Sequence, residues 1–163
     1  MKNLVWFFFG VLVLSSCVTT VNQEKVDPVS ISILEKGLYT SDIIRTEKTP
    51  TDVYHVTENH KLLEETALVP LKKGVLFGFK LKLESDKYKE LEVEIRLIHP
   101  SFYDPYLKKE SSSSISKMKI YKEKTRFRGY LLEEDFELAP GKWIYEIWYK
   151  GKLYATTEFE LKN

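Results

Sequence analysis

One cysteine stands in 163 residues, at Cys17, so the chain can close no disulfide of its own and any domain must hold by packing. Histidine is nearly as scarce, with only His55, His60 and His99. His55 and His60 lie near Glu58, Glu64 and Glu65, yet without the close ligand pairing a zinc site needs, and no metal or other cofactor is expected. An excess of either charge is also missing: 25 basic residues face 24 acidic ones. That balance excludes the strongly basic surface of a nucleic-acid binder. No apolar run reaches the length of about 20 residues that a membrane-spanning helix requires.

Catalytic patterns are absent too. There is no Gly-x-Ser-x-Gly turn for a nucleophile, and no glycine-rich loop to cradle phosphate. Ser111 to Ser114 reads as flexible loop composition. In the cluster Glu133-Glu134-Asp135, Glu133 and Asp135 read as sharing the solvated face of a strand, with Glu134 pointing elsewhere, rather than as the opposed carboxylates of a glycosidase. His99, before Pro100, reads as a strand terminator. An enzyme is not expected.

What is present begins with an address. Lys2 and the apolar run Leu4 to Leu14 have the form of a secretory signal peptide. The following Leu14-Ser15-Ser16-Cys17 resembles the lipobox of bacterial lipoproteins. That resemblance implies cleavage before Cys17, a diacylglyceryl thioether on its sulfur and acylation of the new amino group, since stable anchoring takes more than one chain. Residues 1–16 are then the signal peptide and residues 17–27 a short polar tether. No acidic residue follows Cys17 directly, so in a two-membrane cell the outer membrane, facing the periplasm, is the expected destination.

Residues 28–163 read as one all-β domain. Its clearest part is the C-terminal quarter: Trp143, Tyr145, Ile147 and Tyr149 alternate onto one face, and Leu153, Ala155, Thr157, Phe159 and Leu161 alternate on the next strand. Lys150-Gly151 between them suits a two-residue hairpin turn. Before them, Leu138-x-Pro140-Gly141-x-Trp143 is similar to the corner of immunoglobulin-like sandwiches, with Trp143 in the usual tyrosine position. Further strands are expected at Val29–Ile33, at Val53–Asn59, around Phe77–Leu83, at Leu91–Ile98, and at Lys117–Arg128 with a bulge near Ile120 and Tyr121. Residues 101–116 read as a long connection, and residues 58–68 as the best place for a helical turn. About seven to nine strands at such spacing predict an immunoglobulin-like antiparallel β-sandwich.

The order Gly37-x-Tyr39, Val69-Pro70, Gly74-x-x-Phe77-Gly78, His99-Pro100, Pro140-Gly141-x-Trp143 and Phe159 resembles an uncharacterised domain-of-unknown-function family of bacterial secreted and envelope proteins. The resemblance implies the fold and the location, and supplies no catalytic residue.

Three features suit binding. Phe102, Tyr103 and Tyr106 form either a contact patch or a lid over the open end of the sandwich. Lys122, Lys124, Arg126 and Arg128 share one parity, as a basic stripe for a polyanion or as the charged guard of an edge strand. Ile144, Trp148 and Tyr154, on the second face of the terminal hairpin, mark a partner site if exposed and structure if covered. Together these features predict a lipid-anchored, non-catalytic module that binds another envelope protein or a cell-wall polymer. The alternative is an inhibitor or modulator of an envelope enzyme, acting through residues 101–116.

Overall fold

Alternation of apolar and polar side chains organises the computed structural model, which describes residues 29–48 and 53–163. Cys17, its lipobox and the tether therefore lie outside the described residues. Nine strands form there: β1 (Val29–Lys48), β2 (Val53–Glu65), β3 (Leu68–Pro70), β4 (Leu76–Ser85), β5 (Glu90–Asp104), β6 (Lys109–Tyr121), β7 (Arg126–Leu131), β8 (Gly141–Tyr149) and β9 (Lys152–Lys162). They make a four-stranded sheet in the order β2-β1-β4-β7 and a five-stranded sheet in the order β3-β9-β8-β5-β6. All pairings are antiparallel except β3 with β9. The architecture is the expected all-β sandwich.

The core lies between the two sheets. Phe77, Phe79, Leu81 and Leu83 of β4 face Leu91, Val93, Ile95 and Leu97 of β5, Trp143, Tyr145 and Ile147 of β8, and Phe159 and Leu161 of β9. Each of these side chains is at least 95% buried, and burial of one large apolar side chain contributes about 1.5–3 kcal/mol. Edge-to-face ring pairs lock the layers: Phe77 with Trp143 at 5.7 Å, Phe77 with Phe159 at 5.1 Å, and Phe79 with Tyr145 at 5.1 Å. Between β8 and β9, Lys150 and Gly151 take φ values of 49° and 76°, the paired positive values of the tight turn the sequence foretold. Leu153 departs from the expected parity and is exposed, because the register slips between Ile147 and Trp148.

Four expectations are corrected. Residues 58–65 are strand, not helix: β2 continues to Glu65 along β1, with register shifts around Asp42 and Asn59. Asn59 adopts φ 55° there, and such a bulge scrambles the two-residue period that would have betrayed a strand. His99-Pro100 does not end β5. Pro100 sits within the register shift between Ile98 and Phe102, where its missing N–H costs no ladder bond. The supposed connection 101–116 is the upper half of a hairpin, with Phe102 paired to Ser111 and Asp104 to Lys109. Its serines, Ser111 to Ser114, are strand residues whose small polar side chains give no hydrophobic period to read.

The fourth correction concerns residues 117–128. They belong to two strands in different sheets, β6 and β7, separated by a turn at 122–125. The adjacent apolar pair Ile120 and Tyr121 marks the end of β6, not a bulge.

A row of glycines crosses the four-stranded sheet, Gly37 opposite Gly78 and Gly78 opposite Gly129. A Cβ at Gly129 would lie 2.5 Å from the ring of Phe127, and one at Gly78 2.4 Å from the carbonyl oxygen of Arg128. The row is thus a floor on which Phe127 lies flat, stacked in turn by His60 at 4.0 Å.

Candidate binding surfaces

Trp143 builds one end of the sandwich. Its Nε1–H donates to the carbonyl of Ala139 at 3.1 Å, bridging back across Pro140 and Gly141 as the corner tyrosine of an immunoglobulin-like domain does. The His99 ring stacks on Trp143 at 4.8 Å and on Phe102 at 4.5 Å. His99 is therefore a core group. Burial holds its imidazole below the ordinary histidine range, against a smaller opposite pull from the Pro100 carbonyl and Glu137. Its Nδ1 donates to that carbonyl at 2.9 Å.

Beside the corner, Glu133, Glu134 and Asp135 lead into a 3-10 turn (Asp135–Glu137) rather than a strand face. Glu137 organises it. One carboxylate oxygen accepts from the backbone N–H groups of Glu133 and Glu134 at 2.7 and 2.8 Å, and the other from the Tyr130 hydroxyl at 2.7 Å.

The three loop aromatics have separate roles. Phe102 is half-buried between His99 and Phe136 and acts as the lid. Tyr106 leans on Phe136 and donates its hydroxyl to Glu134 at 3.1 Å. Tyr103 faces solvent, as does Leu107. The hairpin tip is stiff, because Asp104 Oδ1 accepts from the N–H groups of both Tyr106 and Leu107.

The basic stripe dissolves in the same way. Lys122 and Lys124 lie in the turn between the sheets, Lys122 reaching Asp86 at 3.4 Å. Arg126 and Arg128 lie on β7, opposite the core-facing Leu81 and Phe79. They therefore share the inward parity of their strand. Spacing alone places on one strand four cations that the fold divides between a turn and β7.

The outer face of the five-stranded sheet offers the broadest surface. Glu94 pairs with Trp148, Arg96 with Glu146 and Ile98 with Ile144, so these six side chains point outward together. The Arg96 guanidinium stands 4.3 Å over the Trp148 ring and pairs with Glu94, while Trp148 Nε1–H donates to Glu146 at 2.7 Å. A shallow groove of about 280 Å³ runs beside them, bordered by Glu92, Lys117 and Lys150. Ile98 is 40% exposed and Ile115, opposite Arg96 on β6, 64%. The sequence reading found Ile144 and Trp148, which are half-buried along with Tyr154. Ile98, on the polar parity of β5, and Ile115, set among serines that give no period to read, carry no such signal in the sequence.

Two sheets packed face to face, closed at one end by an aromatic corner, define an immunoglobulin-like domain. The same fold occurs in an immunoglobulin-like protein from Pseudomonas aeruginosa, at 18% identity and a TM-score of 0.61, over 82% of this chain and 96% of that one. The chain belongs to the family described as Domain of unknown function (DUF3859), whose pattern it matches over residues 23–161. A looser likeness, to an alkylpurine DNA glycosylase AlkC from Pseudomonas fluorescens bound to DNA containing an abasic site analog, has a TM-score of 0.37 at 12% identity. It covers 60% of this chain and 28% of that one, and bears on neither fold nor function here. No curated protein matches the sequence.

Proposed function

We propose that the protein is a non-catalytic binding or accessory module of the bacterial cell envelope, held at a membrane by lipid on Cys17. Its partner is another envelope protein, docked on the outer face of the five-stranded sheet. The observation that carries this reading is the grouping of exposed Ile98 and Ile115 with Ile144 and the Arg96-capped Trp148. Apolar side chains at the centre, an aromatic–arginine pair, and a rim of ion pairs such as Lys117 with Glu92 are the anatomy of a protein interface. The motif Leu14-Ser15-Ser16-Cys17 supports the anchor, with residues 17–27 as the tether to the domain and the periplasmic face of an outer membrane as its place.

Cross-linking in intact native cells, followed by mass spectrometry of the co-purified material, tests the reading. A dominant partner lost in Ile115→Lys is expected. Recovery of the same partner with that variant would remove the sheet face from consideration.

A second reading, an inhibitor or modulator of an envelope enzyme, rests on the stiff tip of the β5–β6 hairpin, which presents Tyr103 and Leu107. Loss of the partner in the double variant Tyr103→Ala, Leu107→Ala, but not in Ile115→Lys, would favour it.

A further inference from the structure

The two lateral seams of the sandwich differ. On one side β1 lies against β9, and Lys36 crosses between the sheets, donating Nζ to the Glu158 carbonyl at 3.3 Å. On the other side the edges are β6 and β7, and beside the apolar Met118, Ile120 and Tyr130 several of their inward positions are polar. Ser114 and Ser116 of β6 stand opposite core-facing Leu97 and Ile95, while Arg126 and Arg128 of β7 stand opposite Leu81 and Phe79.

Among the described residues, the buried side-chain polar atoms left without a hydrogen-bond partner are Ser116 Oγ, Arg128 Nε and Tyr145 Oη. All three belong to the core layer behind this seam. Tyr145 packs on Phe79, the residue opposite Arg128, and the Arg128 charge acts on its hydroxyl. In the five-stranded sheet Tyr145 stands opposite Leu97, whose other neighbour is Ser114, one inward step along β6 from Ser116. Each of the three groups can donate a hydrogen bond, and one is a cation. Glu137, whose charge reaches Tyr130 farther along β7, has both oxygens engaged, one by the Tyr130 hydroxyl and the other by the backbone N–H groups of Glu133 and Glu134.

Unmatched donors around a positive charge are costly in a low-dielectric setting and are stabilised by an acceptor of negative charge. We propose that the seam between β6 and β7 binds an oxyanion, a carboxylate or phosphate group, through the Arg128 guanidinium with the Tyr145 and Ser116 hydroxyls. This inference is independent of the partner surface on the outer sheet face, which no atom of the seam shares.

The test uses the protein purified in detergent from cells expressing the full chain. Its melting temperature is followed against acetate and, separately, inorganic phosphate, with chloride at matched ionic strength as the reference. A saturable rise with at least one oxyanion is expected, and which one acts distinguishes the carboxylate from the phosphate source. Tyr145→Phe should melt no lower than the parent without anion, because it removes an unmatched donor, and should bind about tenfold more weakly or worse. Arg128→Gln should lose the rise altogether. If Arg128→Gln does not fold, Ser116→Ala takes its place with a weakened response. No saturable rise over chloride, or a rise unchanged in Tyr145→Phe and Ser116→Ala, would overturn the proposal and leave the three donors to ordered water.

Discussion

Trp143 joins three functions in one side chain: it fills the core, bonds the corner carbonyl of Ala139 and supports the His99 ring. Trp143→Phe keeps an aromatic ring but loses the hydrogen bond and part of the volume. A destabilisation of about 2–4 kcal/mol is expected in urea unfolding, where both losses fall on a buried site. His99 gives the residue-scale prediction for pH. Its folded-state pKa is lowered, chiefly by burial, whereas the unfolded chain takes up the proton near pH 6.5. Between those values the unfolded state binds more protons, so stability is complete above about pH 6.5 and falls as pH drops through the folded value. His60, lowered by burial and by Lys80 and Arg126, adds a slope of the same sign. His99→Phe, which retains the stack, should flatten part of the acid-side decline in melting temperature. An unchanged profile would assign the decline to other groups.

Strands were legible where apolar residues alternate and invisible where they do not. The terminal hairpin could be read residue by residue because Trp143, Tyr145, Ile147, Phe159 and Leu161 carry a two-residue period and Gly151 marks the turn. Gly151→Ala should cost about 1 kcal/mol at its φ of 76°, with the strands on either side retained. The upper β5–β6 hairpin was hidden for the opposite reason: serine faces and an embedded proline carry no periodic signal, although the backbone ladder forms regardless. Nor could sequence join Gly37, Gly78 and Gly129, which meet only after three strands align. That floor yields a sharper element-scale expectation. Gly129→Ala would drive a methyl group into Phe127 and the Phe77 carbonyl, and should lower stability by about 1–3 kcal/mol through overpacking. Near-UV circular dichroism should register the displaced Phe127 ring. The candidate site followed the same rule: Trp148 and Ile144 were found by their parity, while Arg126 and Arg128 were placed outward because the crossing between sheets at 122–125 has no signature beyond its charge.

At the scale of the whole molecule, the composition already excluded disulfides, and the aromatic core explains how the domain holds without them. Location is the property most easily tested. Cys17→Ala should move the protein from the membrane fraction to the soluble fraction of lysed cells, without altering the melting of the domain; retention in the membrane would mean that something other than lipid holds it. The direction of the strands then sets an orientation. Val29, the first described residue, pairs with Ser85 and so lies at the end where β5 begins, and β5 runs its full 15 residues to the tip near Asp104. At about 3.3 Å per residue that is roughly 50 Å. Were the proposed lipid on Cys17 to hold the protein at a membrane, Tyr103 and Leu107 would lie at the end of β5 far from Val29 and the Trp148 face nearer to it, so partners reaching across the envelope and partners in the same membrane would meet different parts of the domain.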